Sequence, residues 1–357
     1  MAIYDNKQWI SDLDEVISAF PLISDLEDKA VFITGATGLI CSAVIDLLIR
    51  YNETHKKKIR ILAAGRSQEK MTFRFGRYSG EDYFVYIPYD ASKPDIQFDF
   101  ACDYIIHGAS NASPDQIVKE PVETMLCNFF GMNSLLDYAK KCDAKRVLFI
   151  SSSEIYGKKQ DQFPYREEEY AYIDLLNYRN SYSVSKRAAE TLCASYASEY
   201  SVNSVIVRPG HIYGPTASSA DKRVGSSWAL AAARGEDIVM KSDGAQIRSY
   251  CYCLDCASAI LTVLIKGKNC CAYNISNPDS IISIKQMAEL LSEYGKVKIQ
   301  KELPLDKEKK SFNPMSNSSL NSSALQLLGW HGLFDAKRGF EHTVEILRSM
   351  EREGIHE

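Results

Sequence analysis

Short apolar runs alternate along this chain with longer segments whose apolar positions recur at helical spacing. An amphipathic helix is predicted at 7–20, before the first strand, and further helices at 121–141 and 182–200. The apolar runs predict strands at 30–33, 59–64, 84–87, 104–107, 147–150 and 205–207. Because strands alternate with helices, the sequence predicts an α/β fold with a doubly wound parallel sheet.

The first predicted strand leads directly into a glycine-containing turn. Residues 34–41 read Thr-Gly-Ala-Thr-Gly-Leu-Ile-Cys, and a helical pattern follows. Glycines at such a turn let the backbone approach a pyrophosphate, which the positive end of the helix stabilises. Cys41 stands where a third glycine is usual, and its side chain is small enough to substitute. We therefore predict a Rossmann-type dinucleotide site formed by Gly35, Thr37, Gly38, Leu39 and Ile40.

The regular alternation fades beyond residue 207, where turn residues multiply, as in Arg-Pro-Gly at 208–210 and Tyr-Gly-Pro at 213–215. We predict a dinucleotide-binding domain over 1–206, to which 250–273 returns. A smaller substrate-binding lobe is predicted over 207–357. The polar stretch 311–323 is interpreted as a surface loop. Ligands of open α/β sheets bind beyond the carboxyl ends of the strands, so the segments after the strands are expected to share one site.

Composition narrows the classes of function. Apolar residues make up 45% and charged residues 25%, which is typical of a soluble enzyme. The net charge of −4 offers no electrostatic basis for binding nucleic acid or an anionic membrane. The sequence contains neither a recognisable secretion signal nor an apolar run of membrane-spanning length, so a cytoplasmic protein is expected.

The chain has ten cysteines, several of them between residues 251 and 271. That group lacks the paired C-x-x-C spacing of a zinc site and has no histidine nearby. We therefore expect reduced, buried thiols and no bound metal.

Candidate chemistry lies in Tyr182-Ser-Val-Ser-Lys186, together with Ser151-Ser-Ser-Glu154 upstream. A tyrosine and a lysine four residues apart share one face of a helix, and a nearby ammonium favours the phenolate. The tyrosine could then act as a base on an alcohol that Ser152 holds by a hydrogen bond. This arrangement is typical of hydride transfer and requires a nicotinamide cofactor.

Cofactor choice is left open between NAD and NADP. An acid at the end of the second strand would bind the ribose 2′-hydroxyl of NAD. This chain has Arg66 there instead, within Gly-Arg-Ser, which favours the 2′-phosphate of NADP. A closed cycle of oxidation and reduction favours NAD, because such a cycle retains its cofactor.

Together these motifs resemble the extended short-chain dehydrogenase/reductase family of nucleotide-sugar epimerases, dehydratases and decarboxylases, from about residue 29 to 295. Further motifs are His-Gly-Ala-Ser at 107–110, Asn128-x-x-Gly131, Arg208-x-x-His211 and Asp-Gly-Ala-Gln-Ile-Arg at 243–248. The resemblance implies that Ser152, Tyr182 and Lys186 are catalytic. It implies cofactor contacts from Lys186, Asp90 and Ala109, and substrate contacts from Ser110, Ser153, His211, Arg223 and Arg248.

Within the family, UDP-glucuronate decarboxylases are the most similar group. Their motifs resemble Ser-Ser-Glu-Ile-Tyr-Gly at 152–157, Ala-Ser-Asn-Ala-Ser-Pro at 109–114, and Lys-Arg-Val-Gly at 222–225. Oxidation of C4 in their substrate produces a β-keto acid, which loses carbon dioxide before the sugar is reduced again. The resemblance implies that Glu154 acts near C5; a solvated or capping carboxylate is the alternative.

The chain also departs from that group. The decarboxylases usually carry an aromatic residue in the loop corresponding to Asp115–Glu120, and this chain has none. His211 replaces a usual asparagine, and packing is as good an explanation of it as substrate contact. Arg223 is alternatively a surface charge. Ser153 breaks the Asp-Glu pair of dehydratases, whereas Glu154 argues against a simple epimerase.

Several functions therefore remain in competition. A decarboxylase is favoured, followed by a 4-epimerase and a 4,6-dehydratase; a net NADPH reductase and a non-catalytic cofactor-sensing protein are weaker alternatives. In the family, helices such as 121–141 and 182–200 form a dimer interface, so a homodimer is expected.

Overall fold

The computed structural model describes residues 3–94, 97–303 and 315–354. Twelve strands are numbered in chain order within these ranges. They are β1 (Ala30–Thr34), β2 (Arg60–Gly65), β3 (Phe84–Pro88), β4 (Tyr104–His107), β5 (Arg146–Ile150), β6 (Ser204–Pro209), β7 (His211–Tyr213), β8 (Ile238–Met240), β9 (Ile247–Tyr252), β10 (Ala272–Ile275), β11 (Ile281–Ser283) and β12 (Ile299–Lys301).

Eleven α-helices are described in the same ranges. They are α1 (Lys7–Ala19), α2 (Leu39–Thr54), α3 (Gln68–Phe75), α4 (Pro114–Lys119), α5 (Pro121–Cys142), α6 (Ser181–Tyr200), α7 (Val224–Arg234), α8 (Cys253–Lys266), α9 (Ile284–Gly295), α10 (Ser323–Gln326) and α11 (Ala336–Arg352). Two of the short 3₁₀ turns, Ser153–Tyr156 and Tyr178–Asn180, bear on the site.

Seven strands form one parallel sheet in the order β10-β6-β5-β4-β1-β2-β3. Helices α5 and α6 pack together, as do α2 and α8. In β1, Val31, Phe32 and Ile33 are fully buried, because layers cover both faces of the sheet. This burial explains why the strands are continuous apolar runs in the sequence. The predicted doubly wound α/β fold and its six strands are confirmed.

Two small sheets lie beyond β6 in the chain. One joins β11, β9 and β7, and the other pairs β12 with β8. Between β9 and β11 the chain returns to the large sheet, where β10 pairs with β6 at one edge. The division into domains at residues 206 and 207 stays a prediction.

Helix α1 contributes polar contacts as well as its apolar face. The indole of the fully buried Trp9 donates a hydrogen bond to Asp46 of α2 at 3.2 Å. Asp12 accepts a hydrogen bond from the Tyr252 hydroxyl at 2.9 Å and lies 2.9 Å from His342 of α11. These contacts attach α1 to three distant parts of the chain.

The predicted surface loop at 311–323 is wrong for the part that the structure describes. Residues 311–314 lie outside the described residues, but Ser318, Ser319 and Leu320 are each about 1% exposed. The Leu320 amide donates to the Ser249 hydroxyl at 2.9 Å, and the Asn321 carbonyl accepts from the Asn274 side chain. The segment is therefore buried and hydrogen-bonded through its backbone, which composition alone does not distinguish from solvation.

Cys251, Cys253 and Cys256 are fully buried and unpaired. In the described ranges, no cluster of three His, Cys, Asp or Glu residues is placed to hold a metal ion. None of the helices in those ranges has the length and apolar character needed to cross a membrane.

Candidate active site

The turn between β1 and α2 has the geometry that a dinucleotide phosphate requires. Gly35 has φ of +73°, and a Cβ there would lie 2.8 Å from the Ala109 amide nitrogen. Only glycine accommodates both the backbone angle and this close approach of two loops. Gly38 precedes α2, whose amino terminus receives no side-chain cap from the described residues. The free N–H groups and the helix dipole therefore fit a pyrophosphate, as predicted for Gly35–Ile40.

Cys41 fits in place of a third glycine because its neighbour is a glycine. A Cβ on Gly108 would lie 2.3 Å from the Cys41 sulfur, so the absence of that Cβ makes room for the thiol. Burial raises the pKa of the Cys41 thiol to about 12. The thiol is thus a protonated packing group beside the cofactor turn.

Arg66 and Asp90 follow β2 and β3, which are neighbours in the sheet. Burial opposes ionisation of Asp90, but hydrogen bonds from Ser92 and the charge of Arg66 prevail and lower its pKa. The Ser92 hydroxyl donates to Asp90 at 2.8 Å. The charge of Arg66 thus acts on Asp90, and the role of both residues in cofactor binding stays a prediction.

Tyr182 and Lys186 lie on the buried face of α6. Tyr182 is 7% exposed and Lys186 only 2%. The Lys186 ammonium donates to the Ile150 carbonyl at 2.8 Å and lies 4.6 Å from the centre of the Phe149 ring. Burial lowers the pKa of Lys186 to about 8. Its ammonium is 5.7 Å from the centre of the Tyr182 ring.

The expected depression of the Tyr182 pKa is wrong. Burial raises the pKa of Tyr182 to about 12, and the negative charge of Glu154 adds to the rise. A hydrogen bond with Ser152 and the charge of Arg223 act in the opposite direction. The phenol is therefore protonated at neutral pH until a ligand changes its surroundings. Ser152 thus acts on the phenol, whereas its predicted hydrogen bond to a substrate oxygen stays a prediction.

Glu154 lies in the 3₁₀ turn Ser153–Tyr156 after β5, where its amide donates to the Ser152 hydroxyl at 3.1 Å. The carboxylate accepts a hydrogen bond from Ser183 at 3.4 Å and lies 3.7 Å from the guanidinium of Arg179. Its side chain is 32% exposed. Glu154 thus faces the start of α6, next to Tyr182, rather than open solvent. Ser153, also predicted to bind substrate, is 8% exposed in the same turn.

Asn128 of α5 is a site residue to which the sequence analysis assigned no role. Its oxygen accepts from the Ser110 hydroxyl at 2.8 Å, and its amide nitrogen lies 3.0 Å from the Ser185 hydroxyl. Ser185 in turn donates to the Tyr182 carbonyl at 3.0 Å. Asn128 therefore connects the loop of Ala109 and Ser110 to the helix that carries the tyrosine. The Asn128-x-x-Gly131 motif was the indication available in the sequence.

Three predicted substrate residues lie near one another. The charges of Arg248 and Arg223 both act on His211, whose pKa falls to about 3, chiefly through burial. The Nδ1 atom of His211 is buried and has no partner among the described residues. Arg248 is 3% exposed and donates to the carbonyls of Ile247 and Met315. No carboxylate in the described part of the chain pairs with Arg248, so this buried cation suits an anionic ligand.

Arg223 also reaches the site, but a carboxylate already holds it. Its Nε lies 2.9 Å from Asp221, and the two side chains make a bidentate pair. The positive charge of Arg223 acts on both Tyr182 and His211, and its contact with substrate stays a prediction.

Comparison with known proteins agrees with this geometry. The family model described as "NAD dependent epimerase/dehydratase family" matches residues 31–276. The chain belongs to this family. The prediction of an extended short-chain dehydrogenase/reductase enzyme with a nicotinamide cofactor is thereby confirmed.

Individual relatives match most of the chain at low sequence identity. UDP-glucuronic acid decarboxylase 6 of Arabidopsis thaliana is 28% identical over 89% of this chain and 88% of its own length. UDP-glucuronic acid decarboxylase 1 of Xenopus tropicalis is 28% identical over 91% of this chain and 74% of its own length. Among solved structures, a UDP-glucose 4-epimerase from Thermotoga maritima has a TM-score of 0.76 at 22% identity. It covers 90% of this chain and 99% of its own, and at this identity it supports the fold alone.

Replacing Gly35 by alanine should abolish dinucleotide binding. The added methyl group would collide with the Ala109 loop and strain a backbone with positive φ. Titration of NAD into the protein, followed by calorimetry, measures the loss. Gly80→Ala is the matched control, since a Cβ there meets nothing within 4 Å. NAD affinity equal to that of the unaltered chain would contradict the assignment of the turn.

Stability should rise with pH through the titration of Lys186. Its folded pKa of about 8 is below the ordinary 10.5, so between these values the unfolded chain binds more protons. The burial penalty is fully present below pH 8 and is lost as the pH rises to about 10. The free energy of unfolding of the unaltered chain, minus that of Lys186→Met, should increase by about 2–3 kcal/mol from pH 7 to 10. Urea titrations at several pH values measure this difference; a flat difference would show that the ammonium is not desolvated.

Proposed function

We propose that this enzyme oxidises a nucleotide sugar at C4, releases carbon dioxide from it, and reduces it again on the same cofactor. The proposed substrate is UDP-glucuronate. The observation that carries the proposal is that Ser152, Glu154 and the start of α6 lie together. The Glu154 amide donates to the Ser152 hydroxyl at 3.1 Å, and its carboxylate accepts from Ser183, the neighbour of Tyr182, at 3.4 Å. The curated relatives, which are decarboxylases similar over nine-tenths of this chain, support the choice of substrate.

The proposal assigns a site to each part of the substrate. Residues 207–357 would form the lobe that holds the nucleotide sugar. The buried cation Arg248 suits the diphosphate, together with Arg223 and His211. Ser110 and Ser153 would contact the sugar, beside the tyrosine and Ser152.

The bound nicotinamide supplies reversible hydride transfer at C4. Tyr182 takes the proton of the C4 hydroxyl and Ser152 holds the oxygen by a hydrogen bond. Because burial keeps the phenol protonated, it becomes a base only when positive charge is brought against it. Lys186 is already in place where the pKa of Tyr182 is about 12, so a further positive charge is required, which an oxidised nicotinamide ring would supply.

The resulting ketone at C4 lies β to the carboxylate at C6. The C5–C6 bond breaks, carbon dioxide leaves, and the electron pair forms an enolate whose oxygen Ser152 and Tyr182 can stabilise. Protonation at C5 restores the ketone, and Glu154, or a water molecule beside it, donates this proton. Reduction at C4 then takes back the proton from Tyr182, so the cofactor is unchanged after one turnover.

A 4-epimerase is the second candidate. Pro114–Lys119 lacks the aromatic residue that the decarboxylases usually carry in this segment. Mass spectrometry of the products distinguishes the two functions, because an epimerase leaves the mass of the nucleotide sugar unchanged.

Incubation of the enzyme with NAD and UDP-glucuronate should produce a nucleotide sugar lighter by the mass of carbon dioxide. The absorbance at 340 nm should show no net change. Tyr182→Phe should lower kcat by about 100-fold or more, because the proton acceptor is lost. Tyr172→Phe, at a tyrosine that is 74% exposed, is the matched control and should leave kcat unchanged. An unchanged product mass, or full activity of Tyr182→Phe, would exclude this mechanism.

We further propose that the enzyme is a homodimer through α5 and α6. Val122, Met125, Leu126 and Phe129 recur at helical spacing on α5, and each is at least 40% exposed. Exposed apolar stripes of this kind favour association, and a second copy presents the same stripe around a two-fold axis.

Light scattering after size exclusion should give the mass of two chains, and Phe129→Asp should reduce it to one. Leu327→Asp, at an equally apolar but separate position that is 88% exposed, should remain dimeric. A monomeric unaltered chain would contradict the proposal.

A further inference from the structure

Arg179 stands out because it is close to the proposed chemistry while its hydrogen-bonding capacity is unused. It lies in the 3₁₀ turn Tyr178–Asn180, three residues before Tyr182. The Asn177 side chain accepts from its amide and so fixes the start of this turn. Its side chain is 21% exposed, and its guanidinium donates no hydrogen bond to any of the described residues. The nearest charge is Glu154, whose carboxylate is 3.7 Å away.

The pair with Glu154 does not by itself explain Arg179. At 3.7 Å the two groups are beyond hydrogen-bond distance, and partly exposed ion pairs contribute about 0–1 kcal/mol to stability. A guanidinium has five N–H donors, so Arg179 can contact Glu154 along one edge and a second anion along another.

The other arginines around the site are already engaged. Arg223 forms its bidentate pair with Asp221, Arg248 donates to two backbone carbonyls, and Arg187 donates to the carbonyls of Ile155, Tyr156 and Ala171. A UDP-sugar acid brings a diphosphate and, separately, a carboxylate on the sugar. Arg248 suits the diphosphate, and a second cation is needed where the sugar ring meets Tyr182.

Arg179 also lies next to the segment in which the aromatic residue is absent. Helix α4, which spans the segment where decarboxylases usually carry that residue, packs against the turn that holds Arg179. Asp115 of α4 pairs with Lys222 at 3.1 Å, so α4 also contacts the Arg223 loop. The turn of Arg179 and the loop of Arg223 therefore both lie next to α4.

We propose that Arg179 is the specificity-determining residue that binds the sugar carboxylate of the substrate. The inference rests on the proposed function in taking a sugar acid as substrate, but it is independent of the chemical steps after C4 oxidation. It predicts that Arg179 distinguishes UDP-glucuronate from UDP-glucose, which differ at C6 by a carboxylate and a hydroxymethyl group.

The test is calorimetric titration of UDP-glucuronate, UDP-glucose and UDP into the full chain loaded with NAD. Arg179→Gln should weaken UDP-glucuronate binding about 10- to 100-fold, since one charge-assisted pair is lost. Binding of UDP-glucose and UDP should change by less than about twofold. Arg179→Lys keeps the charge but loses the bidentate hydrogen-bonding geometry. Its ratio of UDP-glucuronate affinity to UDP-glucose affinity should therefore be intermediate.

Lys222→Gln is the matched control, because Lys222 is also a cation next to α4. Its side chain is 76% exposed and is paired with Asp115. The substitution should leave the ratio of the two affinities unchanged. Thermal unfolding of each variant checks that the fold is intact. An equal loss for both sugars, or no loss for either, with carbon dioxide still released by the unaltered chain, would overturn the role of Arg179 alone. Selective loss for UDP-glucuronate without carbon dioxide release would support Arg179 and overturn the decarboxylase instead. Failure of UDP-glucuronate to bind the unaltered chain would overturn both.

Discussion

The burial of the Lys186 ammonium at the carboxyl end of β5 organises the whole candidate site. A charge in the interior is costly unless hydrogen bonds compensate it, and here the Ile150 carbonyl and the face of Phe149 do so. Both partners belong to β5, so the contact holds α6 against that strand. Tyr182 then lies one turn earlier on α6, opposite Ser152, which follows the same strand. This buried cation thus places the base next to the hydroxyl that follows β5.

The same low-dielectric surroundings decide the protonation states. Burial raises the pKa of Tyr182 to about 12 and lowers that of Lys186 to about 8. Burial thus favours the neutral form of each group, and both groups remain mainly protonated at neutral pH. Glu154 and Arg223 act on the phenol with opposite signs. A site of this kind responds strongly to charge brought by ligands, because little solvent screens it. The chemistry is therefore coupled to ligand binding by electrostatics alone.

The arginines around this centre differ in the hydrogen-bond and ion-pair partners that they already have. Arg223 is paired with a carboxylate, Arg248 with carbonyls, and Arg179 only loosely with Glu154. Since the strength of an anion contact depends on what the cation gives up, similar arginines can serve different parts of one ligand. The segment between β5 and α6 is decisive here, because it supplies Ser152, Glu154 and Arg179 together.

The sequence by itself determined the fold, the cofactor turn and the Tyr182–Lys186 pair, because these depend on local patterns. Continuous apolar runs reflect strands covered on both faces, and spacing of four residues places two side chains on one helical face. Only the tertiary structure decided the sign of the Tyr182 pKa shift, the burial of Ser318 and Ser319, and the availability of Arg179. Desolvation and pairing are set by segments far apart in the chain, such as Asp12 and His342, and no local period encodes them.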